Sequence, residues 1–465
     1  MTNVQKRLLC LTLSFLLILI LVSCGKTSED VDVSDDPAVE DSIPQPDRAQ
    51  TTMETTVDIG GTEVNTNTTE LDLTGAFALD TLLGVAEELT EVTAIHMGES
   101  TLHVSNLVKL QRAFPNARLS GSFLLFGDPV SFDAERLELP DMDPANTFQL
   151  IDACSLLPKL SSIEFIREDG TCAYTIEDIS ELDQLRTALP DVQLCVNFDL
   201  FGQTVSYQDT EIRYVDAVIG NEGLEQFYPV MPYLTSCEYL LLDECGIDYE
   251  LLDDFRTAFP EVDIVWRIWL GPQYSVLTDV KKILASSDTE PRLEGDLPNA
   301  LIYCRDLLYL DLGHNRITDI SFVEHMPNLT VAILAINYWT DATPLASCTN
   351  LEYLEIFSTA CKDLSPLSEL ENLRHLNVCN LRITDATPLY SLTNLERLWI
   401  GCTTSVPEEQ LEELHKRLPN CEVNTTTVDP TSEGWRVHPR YELLREQMGY
   451  EDFDYQFWWR DEKFR

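Results

Sequence analysis

The chain has 465 residues, with 79 acidic against 31 basic side chains and a formal charge of −48. Its hydrophobic fraction of 44% is enough for a sizeable core and excludes wholesale disorder. The acidity excludes nucleic-acid recognition, which needs clustered Lys and Arg to neutralise phosphate, and electrostatic docking on an anionic bilayer.

The N-terminus reads as a targeting segment. Lys6 and Arg7 precede an uncharged apolar run of 15 residues from Leu8 to Val22. A membrane span needs roughly 20, so the run reads as the core of a signal peptide. The stretch Leu21-Val22-Ser23-Cys24-Gly25 resembles the lipobox of bacterial lipoproteins. The resemblance implies that residues 1–23 are removed and that Cys24 carries the lipid. The protein is then expected on the extracytoplasmic face of the cell membrane. An ordinary signal peptide with a chance cysteine is the alternative. From 24 to 70 the sequence reads as a disordered acidic tether: residues 25–70 hold 12 acidic and 2 basic side chains, frequent Pro, Ser and Thr, and no apolar periodicity.

Residues 71–300 carry a long, degenerate repeat. Leu107, Leu110 and Phe114 precede Pro115; Leu182, Leu185 and Leu189 precede Pro190; Leu252, Phe255 and Phe259 precede Pro260. Spacings of three and four mark one face of a helix, which proline stops. An aliphatic follows each proline at Leu119, Leu194 and Ile264, and the strands it begins are expected to end at Phe126-Gly127, Phe201-Gly202 and Leu270-Gly271. Strand-like runs at 162–165 and 239–242 precede two of the helices. The segment is read as three helix–strand units, each worth two degenerate turns of a solenoid.

Residues 301–424 are regular. Leu307, Leu329, Leu351, Leu373 and Leu395 recur every 22 residues, each but the second opening a Leu-x-x-Leu-x-apolar stretch. Apolar-Thr/Lys-Asp steps follow at Asp319, Asp341, Asp363 and Asp385, then Pro-Leu pairs at Pro344, Pro366 and Pro388. Asn328, Asn350, Asn372 and Asn394 precede the next copies. The alternating stretch predicts a short strand, the Asp and Pro a return path, and the period a stack of units sharing one core. This pattern resembles the leucine-rich repeat family, in the 22-residue class of internalins and related bacterial surface proteins. The resemblance implies an α/β solenoid with short parallel strands on the concave face and helices or short turns on the convex face. The family's asparagine after the strand is kept at Asn315 and Asn337 and replaced by Thr359, Leu381 and Thr403. A fourth helix, Leu411 to Leu418 before Pro419, with Val423 after it, is expected to cap the array.

The tail, 425–465, is aromatic: Trp435, Tyr441, Tyr450, Phe453, Tyr455, Phe457, Trp458, Trp459 and Phe464. Its stretch Gly434 to Tyr441 resembles a segment that follows the repeats of some bacterial surface proteins. Two readings stand: rings packed on the solenoid edge as part of the cap, or a contact patch for a partner.

No catalytic motif or metal-ligand spacing occurs, and the seven histidines are scattered. No cofactor is expected. Eleven cysteines remain beyond Cys10 and Cys24; Cys348 and Cys361 fall on core positions, so buried thiols are expected, with Cys237–Cys245 as a candidate short-loop disulfide. In the resembled fold, residues between the strand leucines face the concave side. Here these are Tyr309, Asp311, Tyr353, Glu355, Phe357, His375, Asn377, Arg397 and Trp399. Tyr, Trp and Arg beside carboxylates suit recognition of another protein, or a glycan. The expectation is a non-catalytic surface protein that binds an extracellular partner there. The alternatives are an envelope scaffold without a dedicated ligand, or a carboxylate-dependent hydrolase in 71–280. Residues 71–300 carry 41 acidic and 13 basic side chains, which places recognition at the distal repeats and tail, above an acidic stalk.

Overall fold

A three-residue strand with one central leucine cannot cover that leucine; the next repeat must do so. The computed structural model shows this stacking. It describes residues 55–75, 77–272, 274–286, 292–401 and 405–448. Contacts divide the chain into Met1–Thr55 and Thr56–Arg465. The expected signal peptide, Cys24, the tether up to residue 54, Thr403 and the tail beyond 448 lie outside the described residues.

Strands Lys282–Leu284, Tyr309–Asp311, Val331–Ile333, Tyr353–Glu355, His375–Asn377, Arg397–Trp399 and Glu422–Asn424 form one parallel sheet in that order. The register aligns Leu310, Ala332, Leu354, Leu376 and Leu398 in one fully buried inward row. The sheet therefore begins at 282, within the stretch assigned to the degenerate half. The expected capping helix, Glu408–Arg417, delivers the last strand, which carries Val423.

The chain returns through 3-10 turns at Ser321–His325, Thr343–Ser347, Ser365–Glu369 and Thr387–Ser391. Each opens on the Asp of the repeat: Asp319, Asp341, Asp363 and Asp385 accept the backbone N–H of Ser321, Thr343, Ser365 and Thr387 at 2.8, 2.9, 2.9 and 2.9 Å. The asparagines before each repeat lace the outer turns. Asn350, Asn372 and Asn394 donate to the carbonyls of Pro327, Thr349 and Glu371 at 2.8, 2.9 and 2.8 Å.

The inner asparagines bond across repeats. Asn315 accepts from Leu293 N–H at 2.9 Å and donates to Ala285 O at 2.8 Å. Asn337 accepts from Ile317 N–H at 3.0 Å and donates to Leu312 O at 2.9 Å. Thr359 keeps only a bond to Ile356 O at 3.0 Å, and Leu381 is buried apolar. Just before this position the backbone is left-handed in four successive repeats, at His314, Ile336, Ser358 and Asn380. Their N–H groups reach the next repeat, at Ala335, Phe357, Cys379 and Gly401. Ile336 is held there although β-branching disfavours it.

The earlier half departs from expectation in two ways. Each unit holds three parallel strands rather than two: Glu70–Asp72, Ala94–Ser100 and Arg118–Leu125; Arg136–Glu138, Ser162–Glu164 and Gln193–Cys195; Glu211–Val215, Tyr239–Asp243 and Asp263–Val265. The helices Val104–Ala113, Ile179–Ala188 and Tyr249–Ala258 each precede the third strand, as the proline spacing predicted. Secondly, the strands do end before Phe126-Gly127 and Phe201-Gly202, but each pair is also a hairpin turn into a further strand. Both residues of each pair have positive φ, 54° and 106°, then 52° and 81°, the geometry of a two-residue hairpin turn. Antiparallel strands Asp128–Ser131 and Gln203–Ser206 follow, and Arg267–Trp269 pairs with Ser275–Leu277 in the third unit.

The tether boundary also moves. Thr56–Asp58 and Glu63–Asn65 form a hairpin around Gly60-Gly61, with Val57 and Ile59 buried. Two alternating apolar side chains and a glycine pair suffice for a terminal hairpin on the first unit, inside a stretch read as disordered to 70. From Glu70 to Asn424 the chain is an α/β leucine-rich repeat solenoid.

Asn337→Ala would strand the Ile317 N–H in the core, and is expected to cost about 2–3 kcal/mol, read by urea unfolding. The turn aspartates give a pH signature. Hydroxyl and backbone donors of Thr343 and Ser365 hold Asp341 and Asp363 below the ordinary carboxyl value of 3.8, as backbone and side-chain donors do for Asp319 and Asp385. A depressed folded pKa adds stability above the unfolded value, which is lost as pH falls through the folded one. Stability should therefore hold down to pH 4 and fall below it. The Asp341→Asn/Asp363→Asn double variant should show a shallower acid decline in thermal melts.

Candidate functional site

The third and first residues of each strand point away from the leucine core. The register puts Tyr309, Val331, Tyr353, His375, Arg397 and Glu422 in one row, and Asp311, Ile333, Glu355, Asn377, Trp399 and Asn424 in the next. Eight of the nine expected ligand residues thus share two adjacent rows, and Phe357 lies two residues beyond Glu355 in the same repeat.

That face is not open to solvent. Tyr309 is half-buried; Asp311, Tyr353, Glu355, Phe357, His375, Asn377, Arg397 and Trp399 are all buried. The cover is the chain's own C-terminal segment. Left-handed Gly434 (φ 91°) turns the backbone after the last strand, and Trp435 drops onto the sheet, fully buried. The helix Pro439–Met448 follows, with Tyr441 buried on the face and Leu444 packed beside it. The rings make a second apolar core, separate from the leucine core, with Leu284, Val331, Ile333, Tyr353, Phe357 and Trp399. Trp435 lies 5.6 Å from Tyr353 and 5.2 Å from Trp399 between ring centres. His438 of the tail lies 5.2 Å from His375. The tail rings that the sequence analysis placed either on the solenoid edge or against a partner thus pack, as far as they are described, on the concave face.

Polar contacts fix the segment. Asn377 donates to Pro430 O at 2.8 Å; Arg397 donates to Gly434 O at 2.8 Å and Trp435 O at 3.0 Å. The Arg397 guanidinium also stacks 4.5 Å from the Trp399 ring and 4.7 Å from the Trp435 ring. Glu355, with no exposed surface, accepts the Trp435 indole N–H at 2.7 Å and the Tyr353 hydroxyl, and Arg436 stands 3.5 Å from its other oxygen. At the far end Gln447 meets Lys282 and Tyr309 at 3.4 and 3.5 Å.

The electrostatics follow from this burial. Burial pushes the Tyr353 phenol well above its ordinary value, and the Glu355 charge adds to it. Burial also raises Tyr441, to about 12. Burial, the largest influence, would lower Arg436, but Glu355, Tyr441, Tyr353 and Asp311 together outweigh it and hold the guanidinium above its usual range. Arg397 is lowered, chiefly by burial.

Sequence reasoning missed Trp435, Arg436 and Gln447 as partners of this face. A signal was present in Val331-Ala332-Ile333, a strand apolar on both sides, as only a doubly covered strand is.

Elsewhere the chemistry is sparse. Cys237 and Cys245 are free thiols, so the candidate short-loop disulfide does not form. Burial pushes the Cys154, Cys348 and Cys421 thiols up to about 12 and Cys361 to about 11. No group of three metal-ligating side chains converges among the described residues. One cleft of about 450 Å³ in the earlier half brings Glu211, Glu238 and Asp279 near Arg213 and Tyr239. Arg213 pairs with Glu211, and the Tyr239 hydroxyl donates to Asp279 at 3.1 Å. No helix of the described residues is long and apolar enough to cross a membrane.

No protein-family model matches the chain, and no curated protein matches it. Solved structures do. Internalin C2 of Listeria monocytogenes is 23% identical over 48% of this chain and 86% of that chain, with a TM-score of 0.28. A second internalin of that organism is 16% identical over 80% and 87%, with a TM-score of 0.29. A leucine-rich repeat protein of Leptospira interrogans is 14% identical over 72% and 91%, with a TM-score of 0.30.

Trp435→Ala removes a fully buried ring and the indole donor to Glu355. It is expected to cost about 3–5 kcal/mol of docking. Limited proteolysis should then cut within 427–447 while the repeats stay intact; an unchanged cleavage pattern would contradict the docking.

Proposed function

We propose that the protein is a non-catalytic recognition protein of the cell surface, anchored through a lipid on Cys24, whose concave sheet binds polypeptide. One observation carries this reading: the sheet face already holds a polypeptide segment. Asn377 and Arg397 grip main-chain carbonyls, and Glu355 receives an indole and a guanidinium. Main-chain contacts with a few specifying side chains are the means by which peptides are recognised in general. The nine residues Tyr309, Asp311, Tyr353, Glu355, Phe357, His375, Asn377, Arg397 and Trp399 are therefore kept as the recognition face, with the tail as its occupant.

Both the anchor and the compartment rest on residues 1–25 of the sequence, the basic stretch, the apolar run and the lipobox-like Leu21 to Gly25. A tethered body with a large net negative charge stays soluble and repels the anionic headgroups beneath it. The envelope-scaffold reading draws on the completeness of the cover, since eight of the nine face residues are buried. The hydrolase reading would have to use the cleft of Glu211, Glu238 and Asp279, where Glu211 pairs with Arg213 and Asp279 accepts the Tyr239 hydroxyl.

Two measurements test the proposal. Cys24→Ala should leave the protein unprocessed or release it from membranes; full retention after normal processing would overturn the anchor. A photoreactive side chain at exposed Val437, above the face, should capture a defined partner on intact cells, and one at exposed Glu371 on the outer turns should not. Equal capture from both positions would overturn the assignment of the face.

A further inference from the structure

The tail contacts differ in kind from those that hold the repeats together. Repeats bond strand to strand through main chain. The tail bonds through side chains, and its specific part is two consecutive residues. Trp435 and Arg436 converge on the two oxygens of Glu355, at 2.7 and 3.5 Å. Asn377 and Arg397 donate to the carbonyls of Pro430, Gly434 and Trp435, which a peptide of any sequence supplies, while Glu433 and Gln447 add contacts to Asn424, Lys282 and Tyr309 at the two ends. Such an arrangement reads an aromatic residue followed by arginine on a chain turned by glycine.

We infer that the concave face of strands 309–399 is a groove for an aromatic–arginine peptide of a partner protein, and that residues 427–447 are its resident competitor. The inference rests on the reading above that this face binds polypeptide, and names the class of peptide. Charge supports the choice. Glu355 is buried in the groove with no exposed surface and Arg436 stands 3.5 Å from its oxygen, so a peptide without that arginine would leave the buried carboxylate without its cation. Connectivity sets the competition. The last strand ends at Asn424, and Thr427 is already buried beside it, its N–H 2.9 Å from the Asn424 side chain. A link this short gives the tail an effective concentration on the order of mM or higher. A free peptide of equal intrinsic affinity is therefore excluded at micromolar concentration until the tail is weakened or a tighter partner arrives.

The test uses full-length protein and a fluorescent synthetic peptide of residues 427–447. Trp435→Ala protein, with its melting curve recorded to show that the repeats are folded, should bind the peptide at least tenfold tighter than wild type. Adding Glu355→Gln should weaken that binding at least tenfold, and a peptide with alanine in place of its tryptophan should not bind. Folded Trp435→Ala protein that ignores the peptide would overturn the inference, as would wild type binding equally well, which would put the peptide elsewhere. Should Trp435→Ala fail to fold, the unaltered protein serves. Millimolar peptide should accelerate hydrogen exchange across 427–447, and unchanged exchange at saturating peptide would overturn the inference. If the groove fails these tests while Val437 still captures a partner on cells, only the peptide class falls; if peptide binds and no partner is captured, the cellular reading falls.

Discussion

A carboxylate with no exposed surface sits at the centre of the concave face, and much of the C-terminal architecture depends on it. An isolated buried charge is among the costliest groups a protein can hold. Glu355 is tolerated because an indole N–H, a phenol and a guanidinium surround it. Two of those three come from the tail. The tail is therefore part of the folded repeat array rather than an appendage, since without it Glu355 would have to draw water into an apolar surface of Val331, Ile333, Phe357 and Trp399.

This arrangement gives the molecule two cores with different logic. The leucine core is made by repetition: each strand adds a row, each Asp starts a return turn, and each outer asparagine ties to the repeat before. It needs no single residue. The second core is assembled once, from non-repeating aromatic and charged side chains, and closes on Trp435. A face of that kind is selective, because an occupant must satisfy Glu355, Arg397 and Asn377 together. Recognition and capping are then the same contacts seen from two sides.

The periodic part was legible in the sequence because periodicity reports directly on stacking. The 22-residue leucine spacing predicted the strands Tyr309–Asp311 through Arg397–Trp399, and the helix–proline spacing predicted three helices and the terminal cap. The strand ends at Phe126-Gly127 and Phe201-Gly202 were legible, but the hairpins they open were not, because two residues carry the turn signal and an aromatic is an unusual occupant of positive φ. The hairpin at 56–65 was hidden by its acidic, Thr-rich surroundings. Side-chain direction followed from strand alternation, so the two rows of face residues were correctly grouped. Their exposure was not, because burial by a segment 37 to 138 positions away leaves no local pattern. The nearest clue, the doubly apolar Val331-Ala332-Ile333, stood out only as the copy whose central leucine is replaced, by Ala332.

The most direct test of this account is a double-mutant cycle between Glu355 and Trp435 on the full-length chain, using Glu355→Gln, Trp435→Ala and the pair in equilibrium unfolding. Residues in contact through a buried charge-assisted bond should show a coupling of about 1–3 kcal/mol. Additivity within about 0.5 kcal/mol would mean that the tail does not sit on the buried carboxylate, and would contradict the account.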